Sequence, residues 1–297
     1  MKPAAQTPSI RAILIAAVIS IVPIPVQADP IGDAIRDVPI FDAHMHYKKP
    51  AWAAYPVKTV VELMDESGVA IAAVSSTPDE GTIRLFEYAP ARIVPELRPY
   101  HGDAGSSNWT KTPGMLAYIE KRIETYAHKG IGEFHIHDFD PNDRPLLSAI
   151  AQIAKARRIP LHIHSGAAPV RMFFEMEPEL TILWAHAGMS EPADVVGAML
   201  DRYPTLYADT SYREFDILSR DDGIAPAWRA VINRHSDRLM VGTDTWVNEQ
   251  WDIYAKLIAV NRLWLSKLPR NIAEKIAYKN AARLFHRKVS PTLLGTR

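Results

Sequence analysis

Short apolar runs alternate with longer segments of helical periodicity beyond residue 35. Each run is rich in β-branched residues and is followed by a polar, Pro or Gly turn, whereas apolar residues in the intervening segments recur three and four positions apart. Strands that alternate with helices are typical of parallel sheets, because each helix returns the chain to the same edge. Eight runs fit strands: VPIFDAHMH (38–46), VAIAAVSS (69–76), ARIVPELRPY (91–100), GIGEFHIH (130–137), PLHIHSG (160–166), TILWAHAG (181–188), TLYADTSY (205–212) and RLMVGTDT (238–245).

Helices are predicted between these strands. The segment PVKTVVELMDESG (56–68) places Pro56 in a first helical turn, and RPLLSAIAQIAKARRI (144–159) follows Asp143, a suitable N-cap. A further amphipathic helix, PRNIAEKIAYKNAARLFHR (269–287), comes after the last unit. We expect this helix to close the bottom of the fold or to pack on the outer helices.

Eight strand–helix units predict an α/β fold, a (β/α)8 TIM barrel with an extra C-terminal helix. Such barrels typically need roughly 250 residues, which the chain of 297 residues supplies. The alternative, an open doubly wound sheet, ordinarily carries a Gly-rich phosphate turn after its first strand, and this sequence has none there. Without a Gly- or Ser-rich linker, residues 29–297 are predicted to form one domain.

The first 28 residues differ from the rest of the chain. Lys2 and Arg11 are the only charges before the apolar stretch AILIAAVISIVPIPV, and small residues follow at Val26 and Ala28. The uninterrupted apolar part is shorter than the roughly 20 residues of a membrane-spanning helix. Residues 1–28 are therefore predicted to be a signal peptide for export, with the mature protein in the periplasm, and an uncleaved anchor is the alternative.

Composition narrows the partners and the chemistry. Lys plus Arg equals Asp plus Glu at 34 each, which argues against nucleic acid or an anionic membrane as a partner and favours a small-molecule substrate. The chain has no cysteine, so any metal ligands must be His, Asp, Glu or a modified Lys. A homo-oligomer stays open, since aromatic residues after the eighth strand suit either a pocket or a subunit contact.

Histidines gather in the predicted strands. Seven of the eleven lie there, and the C-terminal ends of all barrel strands meet on the face where active sites form. His44 and His46 are two positions apart, so both can point into the mouth and bind one ion. Further ligand-type residues end other strands: His164, His186 and Asp244.

A set of three histidines and one aspartate is suited to a divalent metal such as zinc. Glu133 has two interpretations, a metal ligand or a buried carboxylate paired with Lys or Arg. It cannot share an ion with His137, because four strand positions span roughly 13 Å. His162 lies one layer deeper than His164 and is predicted to be a hydrogen-bonded residue beneath the site.

Three arginines near strand exits are candidates for substrate binding: Arg98, Arg171 and Arg213. Arginine suits fork-like recognition of carboxylates, and a structural salt bridge is the alternative for each. Substrate binding by Arg98 or Arg213 would favour an acidic ester, lactone or amide.

The order of these motifs resembles the amidohydrolase superfamily, specifically its amidohydrolase-related branch, which also contains lactonases and nonoxidative decarboxylases. The matching elements are FDAHMH, LHIHSG, ILWAHAG, VGTD and the closing KNAARLF. The resemblance spans nearly all of residues 37 to 286. It implies a TIM-barrel enzyme that depends on a divalent metal.

The resemblance also implies roles for individual residues. The metal would be held by His44, His46, His164 and Asp244. His186 would be a ligand of a second metal or would orient the water or the substrate. Many relatives bridge two metals with a carboxylated lysine or a glutamate from the fourth strand, and Glu133 fits the glutamate form, which leaves one or two zinc ions open.

These observations predict a metal-dependent hydrolase that uses a metal-activated water to cleave an ester, lactone or amide bond in a small molecule. Asp244 would accept the water proton and pass it to the leaving group. His186 would stabilise the oxyanion or hold a second ion. The alternatives are a nonoxidative decarboxylase of the same superfamily and an exported binding protein without turnover.

Overall fold

The computed structural model describes residues 33–289 except residue 222. The predicted signal peptide, residues 1–28, lies outside the described residues, so it stays a prediction. Among the helices that are described, none is long and apolar enough to cross a membrane.

Eight parallel strands form the barrel, each paired with the next in chain order. Hydrogen bonds from Ala43 N to Val241 O (3.0 Å) and from Thr243 N to His44 O (3.2 Å) join the first strand to the segment after the last. The predicted TIM barrel is thereby confirmed. The strands are β1 Ile40–Met45, β2 Val69–Ser75, β3 Ile93–Leu97, β4 Gly130–His135, β5 Leu161–His164, β6 Ile182–Trp184, β7 Leu206–Asp209 and β8 Leu239–Met240.

Helices surround the strands and cover the outer apolar face of the barrel. Two details differ from the sequence-based expectation. Pro56 occupies the N-cap of α2 and not its first turn, and Asp143 holds the N-cap position of α5 but pairs its carboxylate with Lys111 at 2.5 Å. The helices are α1 Asp33–Arg36, α2 Val57–Glu66, α3 Glu80–Tyr88, α4 Met115–Thr125, α5 Arg144–Arg157, α6 Ala167–Met176, α7 Ala193–Arg202, α8 Glu214–Ile217, α9 Pro226–His235, α10 Glu249–Asp252, α11 Tyr254–Leu265, α12 Arg270–Glu274 and α13 Asn280–Leu284.

The predicted C-terminal helix is present and closes the bottom of the barrel. A π-helical turn, Lys275–Lys279, joins α12 to α13 without a break. The ring of Phe285, just after α13, stacks on Phe41 of β1 at 5.9 Å between centroids. Because the same buried cluster includes residues from the beginnings of several strands, this helix covers the end opposite the strand exits. The cluster contains Phe41, Ile71, Val94, Leu183, Met240, Ala281, Leu284 and Phe285.

Arg262 of α11 connects the outer helices to the segments that lead into β1 and β2. Its Nη1 donates to the carbonyl oxygens of Ile35 (2.9 Å) and Val38 (2.7 Å). Its Nη2 lies 3.4 Å and 3.3 Å from the carbonyl oxygens of Ser67 and Gly68. One buried cation therefore satisfies carbonyl groups that precede both β1 and β2.

We expect Arg262→Met to lower the free energy of unfolding by about 2 to 3 kcal/mol, because buried carbonyl groups lose a charged donor. Urea denaturation followed by circular dichroism measures this change. Arg229→Met is the matched control, since Arg229 is exposed on α9. Equal stability of the two variants would contradict a role for Arg262 in holding the barrel together.

Candidate active site

The exit of β1 brings two histidine side chains together. The Nε2 atoms of His44 and His46 lie 3.2 Å apart, and both side chains are buried. The predicted pair thus shares one face of the strand, as its spacing of two positions requires.

Hydrogen bonds on the other side of each ring indicate where the protons lie. His44 Nδ1 is 3.3 Å from Asp209 Oδ2, and His46 Nδ1 contacts the carbonyl oxygen of Ser75. Both partners are acceptors, so each Nδ1 carries a hydrogen. In the neutral rings both Nε2 atoms then present lone pairs to each other, an arrangement that a shared cation relieves.

Asp244 reaches this pair from the segment after β8. Its backbone N–H donates to the carbonyl oxygen of His44 at 2.6 Å, and its φ of 47° lies in the left-handed region that Asp tolerates. Its Oδ1 lies 2.9 Å from His46 Nε2 and 3.5 Å from His44 Nε2. The carboxylate therefore faces both lone pairs.

Glu133 of β4 stands on the other side of the pair. Its Oε1 is 3.5 Å from His44 Nε2, and its Oε2 is 3.2 Å from His46 Nε2. Gly132 permits this approach, since a Cβ there would lie 2.1 Å from the carbonyl oxygen of His162. Glu133 is thus both a candidate ligand and a buried partner of an arginine, because its Oε2 also contacts Arg98 Nη2 at 2.7 Å.

Two further histidines lie beside Glu133. His164 at the end of β5 places Nδ1 2.6 Å from Glu133 Oε1, and its ring stacks on His135 at 3.9 Å between centroids. His135 Nδ1 is also 2.8 Å from the hydroxyl of Tyr100. Burial lowers the pKa of His135 to about 3, so its ring is neutral at physiological pH.

His186 follows β6 in a short 3-10 turn, Ala185–Ala187. Its Nδ1 lies 2.9 Å from Ser211 Oγ, whose own hydrogen is donated to Asp209. Ser211 therefore accepts from Nδ1, which leaves a lone pair on Nε2 in the neutral ring. That Nε2 is buried and has no hydrogen-bond partner among the described residues; it lies 3.6 Å from Glu133 Oε1 and 3.7 Å from Asp244 Oδ2.

The histidines and carboxylates at the strand exits form one cluster: His44, His46, Glu133, His164, His186 and Asp244. A second buried layer lies beneath this cluster. His162 Nε2 is 3.4 Å from Asp209 Oδ2, and its Nδ1 is 3.1 Å from Glu96 Oε2. Asp209 in turn contacts His44, and the ring of His162 itself lies 4.5 Å from that of His44 between centroids, so His162 supports His44 from below. This placement agrees with the deeper position expected for His162 from its spacing to His164.

The cluster fits a divalent metal ion. Ligands of a tetrahedral zinc ion about 2.1 Å from the metal lie roughly 3.4 Å from one another. The separations of 2.9 to 3.5 Å between the imidazole nitrogens of the β1 pair and the two carboxylates match that value. The unpartnered lone pair on His186 Nε2 is an independent sign that the site suits a cation. Among the residues that the structure describes, three groups place their possible ligand atoms within 4.8 Å of one another: His44 with His46 and Glu133; His44 with His186 and Asp209; and Glu133 with His135 and His164.

The electrostatics of the cluster favour a positive charge at the same place. Burial alone would lower the pKa of His44, but the surrounding carboxylates outweigh burial and raise it well above its usual value. Burial would likewise raise the pKa of Asp244, yet His44 and His46 lower it to about 2. Asp244 is therefore ionised at neutral pH.

A cavity of about 640 Å³ opens above the cluster. Glu133, His164, His186 and Asp244 line it. The size is typical of sites for small molecules, which lie at the strand exits in barrels of this type.

The sequence from residue 41 to residue 287 matches the family model described as Amidohydrolase. The chain belongs to the amidohydrolase family. This membership confirms the resemblance of the strand-end motifs and makes the protein an enzyme of the hydrolase type. No curated protein matches this amidohydrolase in sequence.

Solved structures similar to this amidohydrolase include barrels of several kinds. The phosphotriesterase homology protein of Escherichia coli, with phosphate in its active site, has a TM-score of 0.59 and 12% identity, covering 84% of this chain and 99% of the other. L-Hydantoinase of Arthrobacter aurescens has a TM-score of 0.53 and 13% identity, covering 83% and 70%. A variant of the PTE-like lactonase of Deinococcus radiodurans has a TM-score of 0.50 and 13% identity, covering 85% and 97%. At these identities the likeness establishes the shared fold.

The three candidate arginines have different surroundings in this amidohydrolase. Arg98 lines the cavity, but its Nε and Nη2 are already bound to the backbone oxygen and the carboxylate of Glu133. Arg171 is exposed on α6, where its Nη1 lies 3.7 Å from Met199 Sδ. Arg98 alone of the three is placed to meet a substrate.

The substrate-binding role predicted for Arg213 requires correction. Its Nη1 donates to the carbonyl oxygens of His186 (3.2 Å) and Ala187 (3.1 Å), and its Nη2 donates to that of Glu191 (2.8 Å). Its Nε pairs with Asp216 at 2.7 Å, and the residue does not line the cavity. Arg213 therefore holds the loop that carries His186, because loop carbonyls without strand partners need a donor.

Other residues at the site escaped the sequence analysis. His135 shares a strand face with Glu133, and that spacing of two positions could have indicated it. Asp209 lies at the end of β7, in a position similar to that of Asp244 after β8. Its place at a strand exit could therefore have indicated it as well. Lys48 and Tyr212 line the cavity from loops, where no periodicity indicates the direction of a side chain.

Proposed function

We propose that this amidohydrolase is a metal-dependent hydrolase that cleaves an ester, lactone or amide bond in a small molecule. The observation that carries the proposal is that the Nε2 atoms of His44 and His46 lie 2.9 to 3.5 Å from the carboxylate oxygens of Glu133 and Asp244, and that both carboxylates line the cavity.

The residues that would hold the ion are His44, His46, Glu133 and Asp244, with His164 and His186 beside them. A bound divalent ion supplies a Lewis acid and lowers the pKa of water from 15.7 towards about 7. The residues of the second layer would orient the ligands, since Asp209 and the Ser75 carbonyl hold the two β1 rings by their Nδ1 atoms.

Asp244 would accept the proton of the attacking water and deliver it to the leaving group. Its carboxylate is ionised at neutral pH and borders the cavity. His186 would orient the same water by accepting a hydrogen at Nε2, or would bind a second ion there. A neutral His186 does not stabilise an oxyanion, because the hydrogen of its ring lies on Nδ1, towards Ser211.

The names of the structural neighbours, a lactonase and a hydantoinase among them, support bond cleavage in cyclic esters and amides. The cavity of about 640 Å³ accommodates one ring with a short substituent. Decarboxylation remains the alternative within the same fold.

The test is a reaction panel with the zinc-loaded protein: phenyl acetate, dihydrocoumarin, hydantoin and 2,6-dihydroxybenzoate. We expect at least one of the first three compounds to release acid, which pH-stat titration measures. This release should disappear after dialysis of the protein against a chelator. Release of bicarbonate from the dihydroxybenzoate without hydrolysis of the others would establish a decarboxylase instead. Binding of a panel compound without any turnover would favour a binding protein.

A further inference from the structure

Lys48 is a cation of the cavity wall that has no ionic partner within residues 33–289. It lies two positions after His46, is half-buried and lines the cavity. Its Nζ lies 5.7 Å from the centroid of the Trp246 ring, and it interacts with Asp244 and Glu133 only at longer range than an ion pair. Arg98, by contrast, is paired with Glu133 at 2.7 Å. A half-buried ammonium that no carboxylate pairs with is suited to bind an anion.

Two aromatic side chains, Tyr212 and Trp246, form a wall of the cavity between Lys48 and the cluster. The ring of Tyr212 lies 5.7 Å from that of His186, and Trp246 Nε1 donates to the Tyr212 hydroxyl at 2.9 Å. Tyr212 is 48% exposed and Trp246 is 49% exposed, although large aromatic side chains are usually covered. The wall therefore offers an open flat surface between the cluster and Lys48.

The charges of the cavity point to an acidic ligand. Its ionised wall residues are two cations, Lys48 and Arg98, and two carboxylates, Glu133 and Asp244. Both carboxylates face the imidazole nitrogens of the cluster, and Glu133 also neutralises Arg98. Lys48 is the charge that these contacts leave unmatched.

We propose that the substrate carries a carboxylate that binds Lys48, while its flat body lies on Tyr212 and Trp246 and its scissile group lies at the cluster. The inference deepens the proposed hydrolase and rests on it. A carboxylate is favoured over a phosphate because one ammonium matches the single charge of a carboxylate, whereas a phosphate monoester carries a charge of about −1.5 to −2 at pH 7.

The first test compares substrates. We expect Lys48→Met to raise KM for mono-phenyl succinate about tenfold or more, as loss of a charged hydrogen bond predicts, with kcat nearly unchanged. Phenyl acetate, which lacks the carboxylate, should react equally well with both proteins. Lys48→Arg should keep most of the preference. Lys49→Met is the matched control, since Lys49 is exposed and does not line the cavity.

The second test measures binding without turnover. Isothermal titration with isophthalate, an aromatic dicarboxylate that cannot be hydrolysed, should show about tenfold weaker binding to Lys48→Met than to the wild type. Phenyl phosphate is titrated in parallel, and tighter binding of phenyl phosphate than of isophthalate would overturn the carboxylate assignment. Binding of isophthalate that is equal in both proteins would overturn the role of Lys48.

The two proposals fail in different ways. If the wild type hydrolyses nothing while isophthalate binding depends on Lys48, the hydrolase proposal fails and the carboxylate site stands. If phenyl acetate and mono-phenyl succinate are hydrolysed alike by wild type and Lys48→Met, the hydrolase stands and the inference fails. If Lys48→Met hydrolyses both esters more slowly by the same factor, Lys48 has a structural role only, and the inference is also overturned.

Discussion

Asp244→Asn is expected to lower kcat by about 10²- to 10⁴-fold, the contribution of a well-placed proton acceptor. The amide keeps the size and shape of the carboxylate but cannot take a proton from water. The backbone of Asp244 binds the carbonyl oxygen of His44 and is unchanged by the substitution, so the barrel should stay folded. Steady-state kinetics on a hydrolysed panel substrate, beside a thermal melt, measures both properties.

The control for this variant is Asp237→Asn, an exposed aspartate that lies before β8, at the other end of the barrel. It should retain the kcat of the wild type. Without metal, Asp244→Asn should melt at a lower temperature than the wild type, because the ionised carboxylate, whose pKa His44 and His46 lower to about 2, stabilises the folded state at neutral pH. Full activity of Asp244→Asn would refute the assignment of Asp244 as the proton acceptor.

His44→Ala is expected to remove the metal almost completely. Its Nε2 faces His46, Glu133 and Asp244 at once, so the substitution removes one of the two ring nitrogens that lie within 3.5 Å of both carboxylates. Elemental analysis of protein purified in the presence of zinc measures the loss. Added zinc at 100 times its Kd should stabilise the wild type by about 2.7 kcal/mol and leave His44→Ala unchanged.

His137→Ala is the matched control for metal content, since His137 is exposed just beyond β4. Glu133→Gln then separates one ion from two. A fall from two equivalents to one would make Glu133 a bridge between ions, whereas one equivalent retained would make the site mononuclear. Metal content of His44→Ala equal to that of the wild type would overturn the metal centre.

Much of the fold could be predicted from the sequence, because the spacing of apolar residues differs between strands and helices. The eight runs all contain a strand, and the β1 histidines meet because alternate positions share a face. The strands themselves are shorter than the runs. β8 contains only Leu239–Met240, because the chain after it turns towards β1, and Asp244 adopts a positive φ.

The wall of the cavity could not be predicted in the same way. The partner of a charged side chain depends on loops that periodicity does not describe. Two cations illustrate this limit. Arg213 was expected to bind substrate but donates to loop carbonyl groups. Lys48 was not singled out in the sequence, yet it lines the cavity. Side-chain direction in loops follows from three-dimensional packing, which no spacing along the chain encodes.

The seam between β1 and the segment after β8 joins residues made early and late during synthesis. His44 and Asp244 are two hundred positions apart in the chain, yet they share one backbone hydrogen bond and one side of the cluster. A nascent chain that has emerged only as far as β7 holds the histidines but lacks the carboxylate that completes them. A metal ion bound by the complete set would therefore be held only after ring closure, once synthesis and folding have both reached the last strand.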